Sequence, residues 1–166
     1  LAAIALEIVD GGTLENVVVS GIRIDGVTVP IFLRLGNRAR VYGPKTAKAD
    51  APKPGVGKFR HVVLRDIVAQ NVSPTGCSIT GLPGHPIEDV LLENITLGFE
   101  GGGTKEQTAR KIPERPESYP ESTMFGPLPA YGLYGRHVTG LVLRNVRLET
   151  RSADLRHAVM FDDVQR

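Results

Sequence analysis

The chain of 166 residues contains no tryptophan, a single cysteine and few other aromatic residues. Because aromatic residues make up only 5% of the chain, a hydrophobic core has to be built from aliphatic side chains. The lone Cys77 excludes an internal disulfide and is typical of a small buried hydrophobic residue. No apolar run approaches the roughly 20 residues of a transmembrane helix, so we expect no membrane partner. The net charge of only +2 likewise argues against nucleic acid as a partner.

A phrase of eleven residues, by contrast, occurs four times in the sequence. It reads LENVVVSGIRI from residue 14, FRHVVLRDIVA from 59, IEDVLLENITL from 87 and VTGLVLRNVRL from 138. Positions one, four, six and nine are apolar, and position eight is Gly21, Asp66, Asn94 or Asn145. Alternation over β-branched residues predicts strands. The change of parity after position six predicts two short strands joined by a bend at position eight.

Shorter strand patterns surround these phrases at a constant spacing. Ala5 and Phe32 occupy equivalent places 27 residues apart, and Tyr134 and Met160 are 26 apart. An antiparallel β-sandwich is the main alternative, but it gives no reason to repeat one phrase four times. We therefore predict an all-β fold in which residues 1–166 form a single, partial parallel β-helix domain. Two long insertions, near residues 36–58 and 101–128, are expected to wall a groove that holds a polymer.

Two longer strings resemble the C-terminal coils of the polygalacturonase family (glycoside hydrolase family twenty-eight). They are IALEIVDGGTLENVVVSGIRIDGVTVPIFLRLGNR and YPESTMFGPLPAYGLYGRHVTGLVLRNVRLE, the latter similar to the family's bacterial polygalacturonase-like branch. The resemblance implies a right-handed parallel β-helix, a pectin-lyase-like solenoid, that hydrolyses glycosidic bonds with inversion. It also implies a plant pectic polysaccharide or oligosaccharide as partner, no cofactor, and a monomeric, secreted or periplasmic full-length protein. The four histidines and Cys77 have no spacing that suggests metal ligation, so we expect no metal site.

Inverting hydrolysis needs two carboxyl groups about 6.5–9.5 Å apart, one as acid and one as base. In the family these belong to an Asn-Thr-Asp motif and an Asp-Asp pair. A Gly-His-Gly motif follows them, and all three motifs precede an Arg-x-Lys strand. Gly11 and Gly12 place Ala5 and Glu7 at the arginine and lysine positions of that strand. We therefore expect the catalytic aspartates upstream, no catalytic residue in this chain and no activity from it alone. A carboxylate at Glu7 favours a neutral or differently charged sugar over galacturonate.

Two short strings imitate the missing motifs. The pair Asp162-Asp163 and the string Gly84-His85-Pro86 both come after the Arg-x-Lys strand, which is the wrong order for the family. We interpret them as residues of turns and strand ends.

Alternation also predicts which side chains point away from the core. Leu6 and Ile8 are expected inside and Glu7 outside, whereas Leu33 and Leu35 flank an outward Arg34. Glu7 and Arg34 are 27 residues apart and should be neighbours on adjacent rungs. Tyr134 and Arg136 face outward on a later strand. The first insertion is basic, with Arg38, Arg40, Lys45, Lys48, Lys53 and Lys58 against one acid, Asp50.

The predicted substrate-binding residues are Glu7, Arg34, Arg38, Tyr134 and Arg136. The alternatives are an exposed ion pair between rungs for Glu7 and Arg34, and an ordinary solvated surface for the others. Three functions remain open at this point. They are a fragment of a pectin-type glycoside hydrolase, a non-catalytic carbohydrate-binding or adhesive β-helix, and a pectate lyase. The lyase is disfavoured because the sequence has no acidic cluster suited to calcium.

Overall fold

A computed structural model of the chain describes residues 1–44 and 51–166. In chain order the strands are β1 (Ala2–Ile8), β2 (Thr13–Asp25), β3 (Val29–Leu35), β4 (Lys58–Val72), β5 (Cys77–Thr80), β6 (Ile87–Phe99), β7 (Ala130–Thr150) and β8 (His157–Gln165). One 3₁₀ turn, Lys105–Ala109, lies between β6 and β7. No helix in the described ranges is long and apolar enough to cross a membrane.

The eight strands form one sheet in which every pair of strands is parallel. The order is β1-β3-β5-β7-β6-β4-β2, with β8 also paired to β7. The sheet curls almost into a closed ring, since β1 and β2 occupy opposite ends of this order yet contact each other. The predictions of an all-β fold and of parallel strands are confirmed, and the antiparallel sandwich is wrong.

The register of the strands matches the sequence repeat. Ala5 pairs with Phe32 and Tyr134 pairs with Met160, as the spacings of 27 and 26 residues predict. The four phrases align position by position, so that position four forms one line across β2, β4, β6 and β7. That line consists of Val17, Val62, Val90 and Leu141.

The bend predicted at position eight of each phrase is present. Gly21, Asp66, Asn94 and Asn145 all have a positive φ, between 51° and 69°. Glycine, asparagine and aspartate tolerate this left-handed conformation better than other residues. Three of the side chains also hydrogen-bond from rung to rung, Asn145 Nδ2 to Asn94 Oδ1 at 2.9 Å and Asn94 Nδ2 to Asp66 Oδ1 at 3.1 Å. The bends therefore support one another along the stack.

Position three of the phrase bends as well, which the sequence interpretation missed. Asn16, His61, Asp89 and Gly140 have φ values between 53° and 73°. The hydrogen-bond ladder nevertheless continues through both bends, so each phrase lies within one bent strand and not in two short ones.

The inside of the curled sheet is filled by the aliphatic ladders of the phrases. Val62, Leu64 and Ile67 of β4 are fully buried and stack on their equivalents in β6. Burying each such side chain contributes about 1.5–3 kcal/mol. Cys77 is 1% exposed in the same core, and burial raises the pKa of its thiol to about 12. The prediction that Cys77 acts as a buried hydrophobic residue is confirmed.

Long stretches without strands interrupt the stack near the two predicted insertions. The described residues between β3 and β4, 36–44 and 51–57, contain no strand. Residues 100–129, between β6 and β7, contain only the 3₁₀ turn. Lys45 and Lys48 of the predicted basic wall, and Asp50, lie outside the described residues.

The ladder at position eight predicts a graded effect of substituting Asn94. Asn94→Ala removes both side-chain hydrogen bonds and places a poorly tolerated residue at φ 53°, so we expect a loss of about 1–3 kcal/mol in unfolding free energy. Asn94→Gly removes the hydrogen bonds without the strain and should cost less. Urea unfolding measures both, with Ser20→Ala on exposed β2 as control. An Asn94→Gly protein that is no more stable than Asn94→Ala would contradict this role of the bend.

Candidate functional site

One line of side chains crosses the outer face of β1, β3, β5, β7 and β8. Register pairs Glu7 with Arg34, Arg34 with Thr80, Thr80 with Arg136, and Arg136 with Asp162. We call these five residues the charged row. Adjacent members are about 4.8 Å apart along the stack, the usual strand spacing. The predicted neighbourhood of Glu7 and Arg34 is confirmed.

Arg34 is not exposed on a groove floor, as the sequence interpretation expected. Arg34 is only 1% exposed because the segment between β6 and β7 covers it. The guanidinium donates to the backbone oxygens of Glu114 at 2.7 Å and Arg115 at 3.2 Å, and to Thr80 Oγ1 at 3.2 Å. It also lies 5.6 Å from the ring centroid of Phe125. Burial lowers the pKa of Arg34 to about 10, while the nearby Glu114 opposes that shift.

The segment that covers Arg34 is residues 110–128, and we call it the strap. Its apolar underside consists of Ile112, Phe125 and Leu128. These side chains pack against Phe32 and Tyr134 on the outer face of the sheet. Tyr134 is consequently only 3% exposed, and burial raises the pKa of its hydroxyl to about 12. Its predicted exposure on an open strand face is therefore wrong as well.

Arg136 and His137 fasten the strap to the end of the sheet. Arg136 donates to the backbone oxygen of Ile112 and forms ion pairs with Glu114 and, at 3.2 Å, with Asp162. His137 Nε2 lies 3.1 Å from Glu114, and its Nδ1 lies 2.7 Å from Asp163. The hydrogen bond to His137 lowers the pKa of Asp163. Asp162 thus lies in strand β8 as an ion-pair partner of Arg136, and Asp163 follows it as a hydrogen-bond partner of His137.

Because the strap crosses the middle of the charged row, two separate clefts flank it. One, of about 470 Å³, is lined by the charged side chains Arg110, Lys111, Arg136 and Asp162 together with Tyr134. We call it the arginine cleft. The other, of about 450 Å³, is lined by Glu7, Asp10, Arg38, Tyr42 and Tyr119, and we call it the tyrosine cleft. The predicted site residues are therefore divided between two clefts, with Arg34 buried between them.

The tyrosine cleft is organised around Asp10, the second residue after β1. Its carboxylate accepts hydrogen bonds from the guanidinium of Arg38, from the Arg40 N–H at 2.9 Å and from Tyr42 Oη at 3.0 Å. Partial burial raises the pKa of Asp10, but these three donors outweigh it, so the pKa is lowered. Arg38 also lies 5.3 Å from the ring centroid of Tyr119.

Two aromatic rings and one carboxylate of this cleft face solvent. Tyr42 and Tyr119 are 73% and 69% exposed. Glu7 is exposed too, and in the described residues no hydrogen bond or ion pair engages its carboxylate. Partial desolvation raises the pKa of Glu7, and the charge of Arg38 offsets part of that rise. Exposed rings beside polar acceptors are suited to the apolar faces and hydroxyl groups of a sugar.

Sequence reasoning did not find Asp10 or Tyr42. The available signal for Asp10 was its place immediately before Gly11 and Gly12, at the end of an outward-facing strand. Tyr42 offered no periodic signal because it lies outside any strand. Tyr119 also lies outside any strand, and its ring is exposed on one side while the Arg38 guanidinium lies 5.3 Å from its centroid.

The strap predicts a specific consequence of losing Arg34. Arg34→Met keeps much of the side-chain volume but leaves the Glu114 and Arg115 carbonyls without their donor, which should cost about 2–4 kcal/mol. We expect trypsin to cleave faster after Arg110 and Lys111. Arg23→Met, on the exposed face of β2, is the matched control. Equal cleavage rates in the two variants would show that Arg34 does not hold the strap.

Comparison with known proteins supplies no relative for this chain. No family model, no curated protein and no solved structure matches it.

Proposed function

We propose that this chain forms the closing coils of a right-handed parallel β-helix of the polygalacturonase type, which acts on pectic polysaccharide. In this proposal the tyrosine cleft is a saccharide-binding subsite of the protein. The observation that carries the proposal is the cleft itself, in which two exposed tyrosine rings flank carboxylates on the outer face of a parallel strand stack.

The strand order supports the β-helical part of the proposal. Strands of one row, β2-β4-β6, alternate along the chain with strands of the other, β1-β3-β5. Strand β7 pairs with β5 through its first residues and with β6 through its later ones. This alternation is the pattern that successive coils of a β-helix produce. Right-handedness is favoured because crossovers between parallel strands are right-handed in nearly all proteins.

The carboxylates near the clefts favour binding over catalysis by this chain itself. Hydrolysis needs one carboxylic acid that gives a proton and one carboxylate that activates water. Asp10, Glu114, Asp162 and Asp163 are each engaged by arginine or histidine. Glu7 is the carboxylate of the described cleft lining without such a partner, and one carboxyl group does not form the required pair. The proposal therefore assigns the catalytic pair to residues that precede this sequence. A second candidate function, non-catalytic carbohydrate binding, is favoured by the same pairing.

Saccharide binding should depend on the ring of Tyr119. We expect pectic oligosaccharides to bind the chain, and Tyr119→Ala to weaken that binding about tenfold, since one stacking contact is worth up to about 1.5 kcal/mol. Isothermal titration calorimetry measures both, and Val18→Ala, an exposed apolar residue on β2, is the control. Absence of binding to every pectic oligosaccharide, or equal effects of the two substitutions, would refute the cleft as a saccharide subsite.

The chain alone should release no sugar. Incubation with polygalacturonate and with branched pectic polymers is expected to leave the reducing-end count at the level of a buffer blank. Measurable turnover would show that an acid and a base lie within this chain, contrary to the proposal.

A further inference from the structure

Glu7 and Asp10 lie in the same cleft, but their carboxylates differ in the number of hydrogen bonds that they accept. Asp10 accepts from three donors, whereas nothing in the described part of the chain donates to Glu7. Arg38 is the cation of the described cleft lining, and Asp10 already neutralises it. Within residues 1–44 and 51–166, Glu7 therefore has no ion-pair partner at the surface of the cleft, and Arg38 acts on it only from a distance.

The surroundings of Glu7 also favour a hydrogen-bond donor as its partner. Nearby protein atoms remove part of the water from its carboxylate, which is why its pKa is raised. A partly dehydrated carboxylate gains most from a ligand that donates hydrogen bonds. Sugar hydroxyl groups are such donors. A uronate carboxylate at the same place would instead bring a second negative charge next to the first.

Arg38 is poorly placed to reverse this preference by gripping a uronate. One terminal nitrogen of its guanidinium is taken by Asp10, and the guanidinium lies against the Tyr119 ring. Its side chain is 9% exposed, and its Nε is buried without a partner in the described residues. The bidentate grip typical of arginine on a carboxylate needs two free nitrogens.

We propose that the tyrosine cleft selects an uncharged sugar unit over a uronate, and that Glu7 is the residue that determines this specificity. The inference rests on the proposed function, because it presupposes that the cleft binds saccharide. It goes further by assigning the charge class of the sugar and the side chain that discriminates.

The test compares two ligands that differ only in charge. One is an oligogalacturonate of defined length, and the other is the same oligomer after reduction of its carboxyl groups to alcohols. We expect the reduced oligomer to bind the chain about tenfold more tightly in calorimetric titrations at neutral pH and moderate salt. Glu7→Gln should shrink that ratio to about threefold or less, and Glu7→Lys should invert it.

Charge-matched controls separate a local from a global effect. Glu88→Gln and Glu88→Lys make the same net charge changes at an exposed carboxylate of β6, away from the tyrosine cleft. They should leave the ratio of the two affinities unchanged. Thermal unfolding of each variant verifies that all four retain the wild-type fold.

The outcomes distinguish this inference from the function on which it rests. Binding of both oligomers with equal affinity, or tighter binding of the uronate by the wild-type chain, overturns the specificity while the saccharide subsite stands. Ratios that respond equally to substitutions of Glu7 and Glu88 overturn the role of Glu7. Failure of both oligomers to bind overturns the proposed subsite and the inference together.

Discussion

The register between parallel strands is the constraint on which the rest of this molecule depends. Each phrase lies on the next with the same positions opposed, so that Val62 meets Val90 and Asn94 meets both Asp66 and Asn145. A slip of one residue would turn the aliphatic ladders outward and the charged positions inward. The same register builds the charged row on the outer face. Core, bends and site are therefore consequences of one alignment.

Arg34 holds the strap against the outer face of the stack, between the two clefts. Burying a guanidinium costs free energy unless its N–H groups find acceptors. Arg34 donates hydrogen bonds to the carbonyls of Glu114 and Arg115 and to Thr80, and it lies over the Phe125 ring. These hydrogen bonds hold the strap across the middle of the charged row. Arg136 and His137 secure its other side through Glu114. Two clefts flank the strap, and the tyrosine cleft has exposed aromatic rings and a carboxylate that no residue in the described part of the chain engages.

Repetition and alternation made part of this structure predictable from sequence, whereas contacts between distant parts of the chain were missed. Parallel strands, the pairing of Glu7 with Arg34 and the bend at position eight could all be predicted, because each depends on residues within one or two phrases. The burial of Arg34 and Tyr134 could not be predicted. Alternation identifies the face of the sheet to which a side chain belongs, but it carries no information about a segment that covers that face. The contacts that bury Arg34 join residues 80 positions apart, as in its hydrogen bond to the Glu114 carbonyl.

The central claim is that the stacked strands present a saccharide subsite at the tyrosine cleft, and the four tyrosines of the chain allow a direct test. Tyr42 and Tyr119 lie in that cleft, whereas Tyr131 packs on the core and Tyr134 lies under the strap. With ring-labelled tyrosine, NMR titration with a carboxyl-reduced pectic oligosaccharide should shift the resonances of Tyr42 and Tyr119 and leave the other two in place. Shifts confined to Tyr131 or Tyr134, or no shifts at saturating ligand, would contradict the account.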